Sequence, residues 1–249
     1  MPQRVAVLSD IHGNLPALEA VLAEPDLRAA DRVVLTGDHA AGPLPVQTLD
    51  LLRTALAGRA VWISGNADRE LVEARRQGKP TGYAVSDWAA GQLREDQVDH
   101  LAGLPGTAEL VVGGGPGRTL FCHATPRDDE EIVLVDSRAA RWAEVMAGVD
   151  PSVETVVCGH THMPYARIAH GRLIVNPGSV GMPYGRRGAH WALLGGGGAQ
   201  LRRTAYDYDA AAVRIVAESG FPEAAAWAEE YVHASYPAEE VIEAWRPRM

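Results

Sequence analysis

Five apolar runs in this 249-residue chain break off into ligand-type side chains, and that repetition constrains the fold more than any other feature. Val5-Ala6-Val7-Leu8 runs into Ser9-Asp10-Ile11-His12. Arg32 to Thr36 runs into Gly37-Asp38-His39, and Ala60 to Ser64 into Gly65-Asn66. Arg118 to Cys122 ends in His123, and Glu154 to Cys158 in Gly159-His160-Thr161-His162. Short continuous apolar runs read as strands buried on both faces. Chemistry in open α/β sheets sits just past the carboxyl ends of such strands. One such ending would read as a turn or a cap. Five of them place seven Asp, Asn and His side chains along one rim.

The intervening segments read as helices. Asn14 can cap a helix with Pro16 in its first turn, and Leu15, Leu18, Val21 and Leu22 share one face. Val46, Leu49, Leu52 and Leu56 mark the next. Three βα units by Asp68 predict an α/β fold with a parallel sheet, which periodicity alone would make a single doubly wound one. Residues 69–104 break the rhythm and read as a helical insertion, one wall of a cleft, with Ser86 capping a helix that carries Trp88 and Leu93. A hairpin over Ala108 to Cys122 follows. The acidic run Asp128 to Glu131 is expected on the surface, and Ser137 to Met146 in a helix ended by Gly148. Arg172 to Val175 reads as a strand, and His190 to Leu194 with Gln200 to Thr204 as a hairpin around four glycines. Residues 206–249 read as a C-terminal helical extension in which the stripe Val213, Val216 and Phe221 faces the core. Trp227, Tyr231 and Trp245 are expected to pack on the core or on another subunit. No linker or repeat divides the chain, so residues 1–249 read as one domain.

The net charge of −9 argues against non-specific nucleic-acid binding, which needs a basic surface. No apolar run approaches the ~20 residues that cross a bilayer. Met1-Pro2-Gln3-Arg4 leads straight into the first strand, leaving no room for a signal peptide. Cys122 and Cys158 sit in strand-like runs, as reduced core thiols would in a cytoplasmic protein. Oxygen and imidazole donors without thiolate favour Mn, Fe, Co, Ni or Zn. Seven donors are too many for one ion that keeps an open position, so two ions sharing a carboxylate fit the count.

The blocks Asp10-Ile11-His12, Gly37-Asp38, Gly65-Asn66, His123 and Gly159-His160-Thr161-His162, in that order, resemble the calcineurin-like metallophosphoesterase superfamily. Asn176-Pro177-Gly178-Ser179-Val180-Gly181 is similar to the segment that follows in its small stand-alone prokaryotic members. The resemblance implies a four-layer α/β/β/α two-sheet sandwich. It implies one metal on Asp10, His12 and His162, a second on Asn66, His123 and His160, and Asp38 between them. It implies hydrolysis of a small phosphate-ester or nucleotide-like substrate by a bridging hydroxide, with Mn²⁺ first among the candidate ions.

The chain departs from many relatives in one place. The histidine that follows the asparagine in them, and helps the leaving group depart, is Ala67 here. Asp68, which would orient it, is left without that partner. General acid catalysis contributes ~10²–10⁴-fold, so its loss favours phosphodiesters with good leaving groups over alkyl monoesters. His39 is a candidate substitute acid, and Arg69 and Arg127 are candidate phosphate grips. Two other readings stay open: a metal-binding regulatory module without turnover, and a protein Ser/Thr phosphatase.

Overall fold

In the computed structural model, which describes residues 1–248, the first strand is buried at every position, yet alternate residues serve different cores. Val5 and Val7 point one way, into a cluster with Val34, Phe121, Val157 and Val175. Ala6 and Leu8 point the other way, against Leu18, Val21 and Leu52. This period of two, with both faces apolar, is what a strand between a second sheet and a helical layer requires.

Among the described residues ten strands alternate with helices. The chain opens with β1 (Val5–Leu8), α1 (Leu15–Ala23), α2 (Pro25–Arg28), β2 (Arg32–Leu35), α3 (Pro45–Ala55) and β3 (Ala60–Trp62). The insertion follows as α4 (Asn66–Gln77), α5 (Ala84–Gln92) and α6 (Glu95–Ala102). Then come β4 (Thr107–Val112), β5 (Gly117–Cys122), α7 (Ala139–Val145), β6 (Thr155–Val157), β7 (Tyr165–Ala169), β8 (Arg172–Asn176), β9 (Ala189–Gly195) and β10 (Gly198–Thr204). The C-terminal extension is α8 (Tyr208–Glu218), α9 (Ala224–Ala228) running into a π-helical turn at Glu229–His233, and α10 (Ala238–Trp245). The last residue of that expected extension lies outside the described residues.

Two mixed five-stranded sheets form, in the orders β10-β9-β1-β2-β3 and β4-β5-β6-β8-β7. In the first, β1, β2 and β3 are parallel, with Val5 beside Arg32 and Leu8 beside Leu35. In the second, β5, β6 and β8 are parallel. The inner faces meet in the cluster around Val7 and Phe121. Trp142 and Val145 of α7 cover the outer face of the second sheet, over Leu120, Val156 and Ile174. The single doubly wound sheet that periodicity suggests is therefore replaced by two sheets between helical layers. The five rim-forming strands are split three and two, and their ends meet at one end of the sandwich.

Several local expectations change. Ser86 lies inside α5, buried, and does not cap it; Tyr83 precedes the helix. Strand β7 carries little apolar signal and pairs with β8 through the turn His170-Gly171, where both residues have positive φ, the requirement of a tight type I′ hairpin. Val213 and Val216 are 70% and 46% exposed, so only Phe221 of the expected stripe is core. The face of α8 that is buried carries Ala211, Ala212 and Ile215, against Leu15 and Leu44.

Candidate metal centre

Three of the five strand ends, those of β1, β2 and β6, turn sharply at their ligand-type side chains. Asp10, His12, Asp38, His160 and His162 all have left-handed φ, between 48° and 63°, a region that costs a non-glycine residue ~1–2 kcal/mol. His170, at the hairpin turn, is the one other described non-glycine with positive φ. Such strain persists where surroundings over-determine it, and here the loops are laced together. The backbone N–H of Asp10 donates to Gly37 O (3.1 Å), that of His12 to Asp38 O (2.9 Å), and that of Gly159 to His123 O (2.6 Å). The glycines beside the ligands are set by space. A Cβ on Gly65 would lie 2.2 Å from Asp38 Oδ1, and one on Gly159 2.0 Å from Ser9 Oγ. The Asn176 segment braces the same loops: Asn176 Nδ2 donates to Gly159 O (2.7 Å) and Ser179 Oγ to Asp10 O (2.7 Å).

The donor atoms converge. Asp10, His12 and His162 form one group whose ligand atoms lie within 4.8 Å of one another, and Asp10, Asp38 and His123 a second. Tautomers follow from the outer partners, because a carbonyl can only accept. His12 Nδ1 faces Ala41 O (3.1 Å), His162 Nδ1 faces Met182 O (2.8 Å) and His123 Nδ1 faces Thr36 O (2.7 Å). In each, Nδ1–H donates outward to the carbonyl and Nε2 is the nitrogen that faces the site. His160 is reversed: its Nε2 donates to Glu130 O (3.1 Å), which frees Nδ1. Asn66 Nδ2 faces Glu70 Oε1 at 3.3 Å, which fixes the amide so that Oδ1 faces inward.

What results is a crowd of ligand-type nitrogen and oxygen atoms facing one another. His12 Nε2 and His162 Nε2 are 3.3 Å apart, and His123 Nε2 and Asn66 Oδ1 are 3.0 Å apart. Asp10 Oδ1 is fully buried, 3.2 Å from His162 Nε2. Positive charge between these atoms is what the arrangement calls for, and the donor set fits divalent transition metals. Without an ion, a proton on His123 supplies part of that charge. Burial opposes the charged form of His123, but the Asp38 carboxylate 3.4 Å away outweighs it and raises the imidazole to about 10. Burial pushes His160 the other way, down to about 4. Asp38 pays a burial penalty too, yet His123 and His12 hold its carboxyl well below the usual range. The N-terminus of α4 adds to this, through the Ala67 N–H donating to Asp38 Oδ1 at 2.9 Å.

The remaining sequence candidates lie elsewhere. His39 does not face the site. Its ring is fully buried, with Nδ1 2.8 Å from Asp68 Oδ2 and its face toward Trp62. Asp68 thus has a partner after all: His39 takes the place that residue 67 would fill. The same carboxylate accepts from the backbone N–H groups of Asp38 (2.8 Å), His39 (3.0 Å) and Gly65 (2.9 Å). Arg69 pairs with Asp129 (2.9 Å) and Glu130, and Arg127 with Glu131 (2.6 Å) and Glu144 (2.8 Å). Neither guanidinium lines the cavity at the metal ligands. The acidic run expected only on the surface is what engages both. Cys158 lies in the outer cluster of the second sheet, its thiol 3.8 Å from the Tyr165 hydroxyl.

A cavity of about 190 Å³ opens beside His12, Asp38, Asn66, His160 and His162. Its far wall was not legible in the motifs: Tyr83 comes from the insertion, and Trp227, Tyr231 and Trp245 from the C-terminal helices. Tyr184 stacks on His162 (ring centroids 5.5 Å, 25°), and Trp245 meets His160 edge-on at 5.7 Å.

Comparison with known proteins reaches the same place. The model of the calcineurin-like phosphoesterase superfamily domain matches residues 4–195. An uncharacterized protein of Methanocaldococcus jannaschii is 26% identical over 197 residues, covering 72% of this chain and 76% of that protein. A metallophosphoesterase from Sphaerobacter thermophilus superposes with a TM-score of 0.71 at 24% identity, over 92% of this chain and 100% of its own. A hypothetical protein from Pyrococcus horikoshii gives 0.77 at 20%, over 93% and 99%.

Proposed function

The chain belongs to the calcineurin-like phosphoesterase superfamily, and from that membership as a phosphoesterase we propose that it hydrolyses phosphodiesters at a two-metal centre. The observation that carries this reading is the convergence of Asp10, His12 and His162, and of Asp10, Asp38 and His123, on donor atoms within 4.8 Å of one another. Asp10, His12 and His162 would hold one ion, Asn66, His123 and His160 the other, and Asp38 both. Mn²⁺ is our first choice, ahead of Fe, Ni, Co and Zn, which the same donors accept. Two divalent cations there would acidify a water and neutralise phosphoryl oxygens during in-line displacement.

The chain's own residues supply the rest. Nδ1–H···O=C bonds hold three imidazoles in the ligating tautomer. The lacing of the loops fixes donor positions before substrate arrives, which lowers the cost of organising the reaction. Preference for diesters rests on two placements. Position 67 is alanine, and His39 is turned away onto Asp68. No imidazole other than the ligands lines the cavity, so a leaving group that needs little protonation is favoured. Among the described residues the cavity lining also holds no Lys or Arg, which speaks against a protein Ser/Thr phosphatase that must grip a dianionic phosphoryl group. We place the enzyme in the cytoplasm on the strength of its two buried thiols.

The test is turnover of bis-p-nitrophenyl phosphate against p-nitrophenyl phosphate by metal-stripped protein, with Mn²⁺, Ni²⁺, Co²⁺, Zn²⁺ and Mg²⁺ added back in turn. Metal-dependent cleavage in which the diester is preferred is expected, with more than ~100-fold loss in Asp38→Asn. Two metals bound tightly with neither ester cleaved would instead indicate a regulatory module.

A further inference from the structure

A centre that holds two cations attracts the most highly charged anion most strongly. A phosphomonoester carries up to two charges near neutral pH and a diester one. Preference for the diester therefore needs something that acts against the second charge. Among the residues that line the cavity, Asp38 and Glu70 are the acidic ones, and Asp38 belongs to the donors. Glu70 stands one turn along α4 from Asn66 and is half-buried. Its Oε1 accepts from Asn66 Nδ2 at 3.3 Å. Orienting that amide needs only an acceptor, which an uncharged side chain would equally provide. The charge of Glu70 is left over.

No cation answers it. Arg69, the next residue along the helix, is committed to Asp129 (2.9 Å), Glu130 and Glu73 (3.8 Å), and Lys79 also pairs with Glu73. Arg127 and Arg141 share Glu131 and Glu144. Among the described residues no ion pair includes Glu70, and no Lys or Arg lines the cavity. Much of the remaining lining is apolar, with Ala41, Ala67, Val85 and Met182 beside the aromatic wall. Such surroundings screen a charge weakly, so the field of this carboxylate reaches across the cavity.

Resting on the phosphodiesterase reading, we propose that Glu70 is a specificity-determining residue, whose unpaired carboxylate on the cavity wall repels the second negative charge of a phosphomonoester and so admits singly charged diesters. It acts through space, without contact with the ester. The two filters are independent: alanine at position 67 limits the leaving group, and Glu70 limits the charge. Specificity here comes from an element that disfavours the wrong ligand rather than from a contact made to the right one.

The experiment is calorimetric titration of Zn²⁺-loaded protein in mildly alkaline buffer, where Glu70 is ionised even though burial raises its carboxyl. The ligands are phenylphosphonate, with two charges, and its monomethyl ester, with one; they share a ring and resist hydrolysis. Glu70→Gln keeps an acceptor for Asn66 and removes the charge. It should shift the ratio of the two affinities about 5- to 50-fold toward the dianion, with the Zn²⁺ content of the protein unchanged. Glu70→Asp keeps the charge and shortens the reach to Asn66, and its ratio should stay close to that of the natural protein. A ratio unmoved in Glu70→Gln, an equal shift in Glu70→Asp, or binding of neither anion would overturn the proposal. Turnover of bis-p-nitrophenyl phosphate decides the phosphodiesterase reading separately. Diester cleavage with an unmoved ratio keeps that reading and ends this one, whereas a shifted ratio without diester cleavage does the reverse.

Discussion

Asp68 touches no metal donor, yet it ties together the two loops that carry Asp38 and Asn66. Its carboxylate and the His39 ring are both fully buried, so truncating one leaves the other without its partner. Removing one member of a buried pair costs ~3–5 kcal/mol, and disturbing the partners of ligands costs ~10–100-fold in metal affinity. Asp68→Ala is therefore expected to lower both the unfolding free energy and the metal affinity by these amounts. Chemical denaturation and metal titration of the one variant check both. The sequence contains every residue of this arrangement but not the pairing. A motif read along the chain joins Asp68 to position 67, whereas the fold brings in His39 from the neighbouring strand end. The thiols give a second expectation at this scale. Burial pushes Cys158 up to about 12 and Cys122 well above its usual value. At pH 8 both stay protonated in the native state, so a disulfide reagent should titrate no thiol until denaturant is added, and then two.

Among elements, the strands with a continuous apolar run were legible because burial on both faces leaves no polar position. β7 was not, since only Tyr165 and Ala169 of its five residues are buried, Ala166 and Ile168 are exposed, and the half-buried Arg167 lies over the Trp142 ring. α8 shows the opposite failure. Its large side chains Val213 and Val216 invited a core face, but small residues make it, letting the helix approach Leu15 and Leu44 closely. Stability separates the two registers. Val213→Lys should change the unfolding free energy by less than ~0.5 kcal/mol, whereas Ile215→Ala should cost ~2–5 kcal/mol. Equal effects in thermal or urea unfolding would show that the buried face has been misassigned.

For the molecule as a whole, two sheets bring five strand ends to one place, and two appended helical groups close over it. The parallel strands followed from periodicity; the division into two sheets did not, because an inner face against a sheet and one against a helix are equally apolar, and it came from the resemblance that the ligand blocks carry. The centre joins loops that begin at Asp10 and end at His162, so ions bound there should brace both sheets at once. A ligand at 100 times its dissociation constant stabilises by ~2.7 kcal/mol. For a chain this size that is about 5–10 °C in melting temperature. Scanning calorimetry of metal-stripped and metal-loaded protein should show that rise; coincident melts would mean that no ion bridges the loops.

The aromatic wall of the cavity also fixes an order of events in time. All seven donors have been synthesised by His162, but Trp227, Tyr231 and Trp245 emerge later. At ~5–20 residues per second, the 83 residues from His162 to Trp245 occupy roughly 4–17 s. During that interval a nascent chain holds all seven ligand-type side chains while most of the aromatic wall over them, all but Tyr83, is still to be made. The part of the chain that closes the cavity is thus made last, and it supplies none of those seven side chains.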